Sequence, residues 1–481
     1  MPRTPHHPRR RTRIVVSIAA LTAMACLATS SAAADARPKR SPDVEVRQIS
    51  GPSPMSSCNP PADYAGTRNH EHQVSLAVNP SNDGNMVATW TQDWDDGTVV
   101  SVTSDGGQTW SAVGVPGQMP GCHDEPPLDG ANNGRSAVSP DGTIYTLSNI
   151  LFSGDRTADH QQVRVNATRD GGATWAGSTT LDTGNLDWVW PVADAHVPGT
   201  AYVLWGHREG NSWTGIATAY EYISTTTTYG DEWSAPLRIA EPPAGSTYQW
   251  GQLLQLPDGS LVDVFFQCLA GVDVDQPVIQ CESGGGVAHA VRSTTGGQSW
   301  SAVADCPPLP LPPENNGFFD SAVTAAGEIL VGYSIPSADA SGWRIMLTRS
   351  SDGGCTWSEP EELATDTAQP SLVQIEATAK DTVGVLFYDN RSGVTCDQVV
   401  CPPTDTDVWF RTVHHGASTE TRVDGPFDIN ALPVTACCTG VGEWAGLVPT
   451  STGFAAAFVM GKPRATIGPT DVFLASIPVR R

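Results

Sequence analysis

Sugar chemistry asks for carboxyls that protonate or activate, aromatic faces that stack on pyranose rings, and arginines that grip a carboxylate with two hydrogen bonds. This sequence supplies all three. Arg135, Trp190, Trp250 and Glu443 stand at the heads of apolar runs, with His70, Glu71, His72, Asp129, Asp187, Trp188, Tyr248 and Asp320 in matching places. Asp93, Arg208, Tyr388 and Arg391 fall in or beside the polar segments between runs. Glu443, Asp93 and Tyr388 are the catalytic candidates; Arg135, Arg391, Arg208, Trp190 and Trp250 are the substrate-binding ones. Beside arginine, Glu443 is expected to stay ionised and to act as a base or a stabilising charge. The bland alternative for each residue is a polar side chain on the surface of a large acidic protein.

Metal and cofactor chemistry have weaker signals. His70 and His72 would share a face of a regular strand, and with His123, Asp124 and Glu125 they offer metal ligands. Asp93, Asp95 and Asp96 offer oxygens suited to calcium. Neither pattern assigns a metal. No phosphate loop, dinucleotide fingerprint or nucleophile elbow occurs, so no cofactor is expected.

Five repeated turns supply the elements that must carry these residues. They run Thr103 to Trp110, Thr168 to Trp175, Thr226 to Trp233, Ser293 to Trp300 and Ser350 to Trp357. Three read S/T-x-D-x-G-x-T-W, with Asp105, Asp170 and Asp352; the other two carry Thr228 and Thr295 in place of Asp. Each is expected to be a hairpin turn in which the acid caps backbone N–H groups, glycine supplies a positive φ, and tryptophan packs on a neighbour. These acids are therefore read as structural. The tryptophans recur every 57 to 67 residues, the length of a four-stranded unit with its loops. Cycles begin near Gln73, Arg135, Trp188, Gln249, Phe318, Gln369 and Glu443. The last has only three strands, and Val44–Ile49 is a free strand able to complete it.

The expected fold is all-β: a single β-propeller of four-stranded antiparallel blades, seven in number, with six as the alternative. The turns resemble the Asp-box, or bacterial neuraminidase repeat, of the sialidase superfamily, from about His72 to Ile477. Val74–Pro80, Phe387–Arg391 and Gly442–Leu447 are also similar to segments of secreted bacterial proteins of this group. The resemblance implies a carbohydrate-active protein, a glycoside hydrolase working in a funnel at the face opposite the turns. The sialidase template has three arginines, a Tyr–Glu pair and an acid/base Asp, with its first arginine in a Phe/Tyr-Arg-Ile-Pro motif. Here that strand reads His70-Glu-His-Gln-Val-Ser-Leu-Ala-Val78. A non-catalytic glycan- or protein-binding propeller, and a polysaccharide lyase acting on uronates through a His or Tyr base, are the other readings.

The chain's start reads as an export leader over residues 1–34: Arg9, Arg10, Arg11 and Arg13, an apolar run from Ile14 to Leu27, then Ala32-Ala33-Ala34. A segment 35–72 with the closing strand and a propeller over 73–481 follow. The formal charge is −24, and losing the leader's five arginines leaves 22 Lys and Arg against 51 Asp and Glu. Such a surface repels nucleic acid and anionic membrane. The expected partner is a glycan met outside the cell by a monomer. Of eleven cysteines, ten follow the leader, an even number that favours disulfides in an exported chain. Cys268 with Cys281 and Cys396 with Cys401 bracket loops, Cys58, Cys122, Cys437 and Cys438 fall in connections crossing one face, Cys306 and Cys355 are left to pair, and other connectivities stay open.

Overall fold

The computed structural model describes residues 41, 43–55, 67–93, 95–119, 128–152, 161–211, 216–243, 246–269, 287–311, 319–336, 343–367, 370–390, 404–414, 416–433 and 440–479. The expected leader, Arg391, His123, Asp124, Glu125, Cys58, Cys122, Cys281, Cys396, Cys401, Cys437 and Cys438 lie outside these residues.

Continuous apolar runs dictate the architecture. Val383–Asp389 and Gly453–Gly461 are buried at every position, which a strand shows when both faces are covered. The structure therefore stacks sheets on sheets. β1 is Glu45–Gln48. One sheet takes β2 (Glu71–Asn79), β3 (Asn82–Gln92), β4 (Gly97–Thr103) and β5 (Ser111–Val113). The next joins β6 (Leu128–Val138), β7 (Ile144–Phe152), β8 (Gln161–Thr168), β9 (Thr179–Ala193), β10 (Ala201–Asn211), β11 (Ile216–Thr226) and β12 (Leu237–Arg238). β13 (Ser246–Gln255), β14 (Leu261–Leu269), β15 (Val287–Ser293) and β16 (Leu309–Pro310) form a third. β17 (Phe319–Val323), β18 (Ile329–Pro336), β19 (Trp343–Ser350) and β20 (Glu361–Thr367) form a fourth. β21 (Ser371–Ala377), β22 (Val383–Asp389), β23 (Asp405–His414) and β24 (Ala417–Asp428) form a fifth. The sixth contains β25 (Gly446–Thr450), β26 (Gly453–Gly461) and β27 (Thr470–Pro478), with β1 as its outer member. All pairings are antiparallel, and each sheet is met from its first strand outward.

Five sheets of four strands and one of seven thus stand where seven separate four-stranded sheets were expected. The reason is β9. Its residues up to Gly184 pair with β8, and those from Asn185 pair with β10, so one unbroken strand serves two ladders.

The five repeated turns lie where expected, between the third and fourth strands of a unit. Asp105 Oδ1 accepts from the backbone N–H groups of Gln108 and Thr109, both at 2.9 Å, and its Oδ2 accepts from the Thr109 hydroxyl at 2.6 Å. Asp170 and Asp352 repeat the pattern. Thr228 and Thr295 cap through their hydroxyls, accepting from Glu232 N and Ser299 N at 2.9 Å. Gly107 adopts φ +86°, and a Cβ there would strike Leu474 on β27. Cys306 and Cys355 are disulfide-bonded, the second of them inside the fifth turn.

The first and last strands meet in one sheet. β1 runs beside β27 with Glu45 opposite Ser476 and Gln48 opposite Phe473. Val44 and Ile49 bury their side chains in a cluster that also holds Val74, Phe454 and Leu474. Burial of each stabilises by about 1.5–3 kcal/mol, and β1 also covers an edge that would otherwise template aggregation.

Two expectations follow. Deleting residues 44–49 should lower the melting temperature and produce aggregates detectable by light scattering; an unchanged melt of a monomeric variant would show that closure does not need β1. The turn acids should matter at neutral rather than acidic pH. Hydrogen bonds hold the Asp105 and Asp170 carboxyls below the usual value of 3.8, so their contribution is present above that value and fades as pH falls through the lowered one. The melting temperature lost by an Asp105→Asn, Asp170→Asn double variant should therefore be greatest near pH 7 and shrink toward pH 3; a constant loss would contradict the capping role.

Candidate functional site

The site is built on a defect that recurs in five of the innermost strands. In β2, β6, β9, β13 and β21 two residues oppose one on the neighbouring strand. The first of each pair is left-handed without being glycine: Gln73 at φ +54°, Asn133 at +54°, Trp188 at +53°, Trp250 at +58° and Leu372 at +50°. Such β-bulges re-aim the side chains that follow, and left-handed backbone at non-glycine residues costs about 1 kcal/mol or more unless surroundings enforce it. Two residues after each left-handed position come Ser75, Arg135, Trp190, Gln252 and Gln374. Four of these, all but Gln252, line a common cavity of about 180 Å3. Asp320, Ser321, Glu376 and Ala445–Leu447 complete much of the wall.

Arg135 is the centre of this cavity. Its guanidinium lies 4.1 Å from the Trp190 ring centroid, 4.2 Å from Trp444 and 5.5 Å from Trp188. The residue is 9% exposed. Among the described residues the guanidinium makes no hydrogen bond and no ion pair, although it lines open space. Burial pulls its pKa down to about 9, with Asp320 and Glu443 opposing the fall, so it is charged at neutral pH.

Asp320 and Glu443 act on it electrostatically, and Glu376 shares the cavity wall with it. Burial pushes Asp320 up to about 7, against the Ile375 N–H it accepts at 2.7 Å and the nearby Arg135. Burial and then the Asp320 charge push Glu376 up to about 8. Burial and then Asp187 push Glu443 up to about 7, against a 3.1 Å hydrogen bond from Gln73 and the charges of Arg135 and Arg208. The expectation that arginine keeps Glu443 firmly ionised is thereby corrected: its desolvation outweighs the cation. Around this group, Arg208 donates to Asp187 at 2.6 Å and Asn133 to the same carboxylate at 2.9 Å.

The sequence candidates divide accordingly. Arg135 and Trp190 line the cavity, and Glu443 lies beside it. Arg208 is one step out, paired with Asp187, and Trp250 packs edge-on to Trp188 at 6.4 Å. Tyr388 is a correction. It is 1% exposed, and its hydroxyl donates to Val459 O and accepts from Val459 N, both at 2.9 Å, which pins β22 to β26. Asp93 is another. Its carboxylate accepts from Ser53 Oγ (2.5 Å), Asn69 N (2.6 Å) and Gln92 Nε2 (3.0 Å), tying the N-terminal segment to the first sheet. Arg391 lies outside the described residues. His70 and His72 are buried with stacked rings 5.2 Å apart, and burial holds both imidazoles toward the neutral form. Among the described residues no group of three or more His, Cys, Asp and Glu is arranged to hold a metal ion. Glu376, Gln73 and Asn133 were not singled out in sequence; alternation along β21 was the available signal for Glu376.

Solved structures give this arrangement a context. An ulvan lyase determined with bound -[GlcA(1-4)Rha3S]- matches with a TM-score of 0.51 at 10% identity, over 85% of this chain and 94% of the other. The chain is a β-propeller. Weaker likenesses to this propeller are a Hadza microbial sialidase (TM-score 0.46, 14% identity, 82% of this chain and 73% of that one) and an α-L-arabinofuranosidase from Fusarium graminearum (0.45, 12%, 87% and 96%). No protein-family model and no curated protein matches the propeller in sequence.

A second acidic pair lies outside the cavity lining. Glu221 on β11 and Asp263 on β14 are both 0% exposed, and none of their four carboxyl oxygens has a well-formed hydrogen bond among the described residues. Burial raises both pKa values, and the Glu221 charge raises Asp263 further. A raised carboxyl favours the fold at low pH and ceases to as pH climbs through the raised value. The melting temperature should thus fall from pH 5 to pH 9, and Glu221→Gln should make that fall shallower; an identical slope in the variant would refute the assignment.

Proposed function

We propose that this chain is an exported glycan-acting protein whose ligand site is the axial cavity around Arg135, and that it hydrolyses a glycosidic bond there. The observation that carries this reading is Arg135 itself: a buried guanidinium between indole rings, without an ion pair among the described residues and open to a carboxyl-lined cavity. Indole faces suit sugar rings, and a free guanidinium fork suits a carboxylate or sulfate on the sugar. Glycoside hydrolysis needs two carboxyls, one of them holding a proton. Asp320, Glu376 and Glu443, held near or above neutrality, supply candidates for that acid and for its partner.

The neighbours' descriptions, sialidase, ulvan lyase and arabinofuranosidase, are all of proteins that act on glycans, which supports the same class. The titratable side chains that line the cavity among the described residues are Arg135, Asp320 and Glu376, which supports carboxyl chemistry there. Counting β9 once in each of its two ladders supports a reading of seven blades, the last completed by β1. The leader pattern supports export, and a formal charge of −24 supports a glycan over nucleic acid as partner.

The test is turnover on a panel of aryl-glycosides and uronate-bearing oligosaccharides. Glu443→Gln and Asp320→Asn should each lower kcat by about 100-fold or more, with folding unchanged by circular dichroism. Arg135→Lys, which keeps charge but loses the planar fork, should weaken uronate binding by about 1.5–3 kcal/mol. Glycan binding without turnover anywhere on the panel would replace the hydrolase by a binding propeller.

A further inference from the structure

We propose that an anionic sugar seats on Arg135 together with a proton, taken up by the carboxyls around it. This rests on the reading of the axial cavity as the ligand site and adds how that site is regulated.

The argument starts from charge. Arg135 on β6 brings one positive charge. Asp320 on β17, Glu376 on β21 and Glu443 just before β25 bring three negative charges when ionised. None of the three carboxyls makes an ion pair among the described residues. The nearest other charges, Asp187 on β9 and Arg208 on β10, neutralise one another at 2.6 Å. The remaining polar side chains of the wall, Ser75, Ser136, Ser321 and Gln374, are uncharged. Counted over the described residues, a fully ionised site is therefore net negative by two, and a carboxylate or sulfate approaching Arg135 meets more repulsion than attraction from them. Protonating the carboxyls reverses that balance.

The cavity is placed to make this exchange near neutral pH, because burial already raises Asp320 to about 7, Glu376 to about 8 and Glu443 to about 7. An anion beside them raises all three again, so protons move from solvent to protein on binding. Linkage then fixes the sign. Affinity for the anion rises as pH falls through the window from about 9 to about 6, by about tenfold per pH unit for each proton taken up. A neutral sugar, which leaves the carboxyls unperturbed, lacks this dependence.

The experiment titrates the full chain with D-glucuronate, inorganic sulfate and methyl glucoside between pH 6 and pH 9. Trp188, Trp190 and Trp444 flank Arg135, so tryptophan emission reports occupancy. Calorimetry in Bis-tris and in Tris, amine buffers whose ionisation enthalpies differ, counts the protons. The expected result is glucuronate or sulfate binding at least about tenfold tighter at pH 7 than at pH 9, with net proton uptake. Glu376→Gln and, separately, Asp320→Asn should flatten the dependence and strengthen binding at pH 9. Anion binding that is equally tight across the window, or a neutral sugar showing the same dependence, overturns the proton coupling and leaves the anion site standing. Binding of neither anion at any pH overturns both.

Discussion

The antiparallel pairing of β1 with β27 is the constraint on which the site depends. It holds the last sheet against the first, and the site straddles that seam. Gln73 N donates to Val441 O at 3.1 Å across it, and the Gln73 side chain reaches Glu443. The approach is close enough to require glycine. At Gly442, with φ +94°, a Cβ would lie 2.5 Å from Gln73 N, and at Gly446 it would lie 2.6 Å from Leu76 N. A larger residue at either position would push Glu443 and Trp444 away from Arg135. Closure and chemistry are thus joined through two small residues.

The cavity holds an unusual electrostatic state for a strongly acidic protein. A guanidinium with no ion-pair partner among the described residues is an uncommon thing to hold at 9% exposure. Indole faces offset part of its desolvation, each by roughly 0.5–2 kcal/mol. The carboxyls stay close enough to be felt but too far to neutralise it by contact. Such an arrangement fits the ligand-binding role proposed for the cavity better than it fits a structural ion pair.

Much of the fold was legible because its signals are local. The five turns carry their own capping acid, glycine and tryptophan, and the apolar runs between them mark the strands. Arg135, Trp190 and Glu443, singled out because each stands near the head of an inner strand, lie at or beside the cavity. What could not be read is register. A single extra residue at Gln73, Asn133, Trp188, Trp250 or Leu372 changes which side chains face the axis, and nothing in the types of those five residues announces it. Glu376 was missed for that reason. Asp93 and Tyr388 failed differently: their positions beside polar segments were right, but tertiary contacts with Ser53 and Val459 use up their polar atoms. The shared strand was also invisible, since Thr179–Ala193 contains turn-prone Gly184 where a break between sheets was expected.

That shared strand has a consequence for how the molecule opens. Neighbouring sheets elsewhere are joined by non-ladder segments, so a fluctuation could release one and spare the next. β6 to β12 lack such a break. Loosening β8 from Thr179 to Gly184 pulls on the same fifteen residues that carry Asp187, Trp188 and Trp190 toward the axis. The outer rim of one ladder and one wall of the cavity are therefore a single cooperative unit, whose amide protons should exchange with solvent together, and a disturbance at the periphery there has a covalent path to the centre.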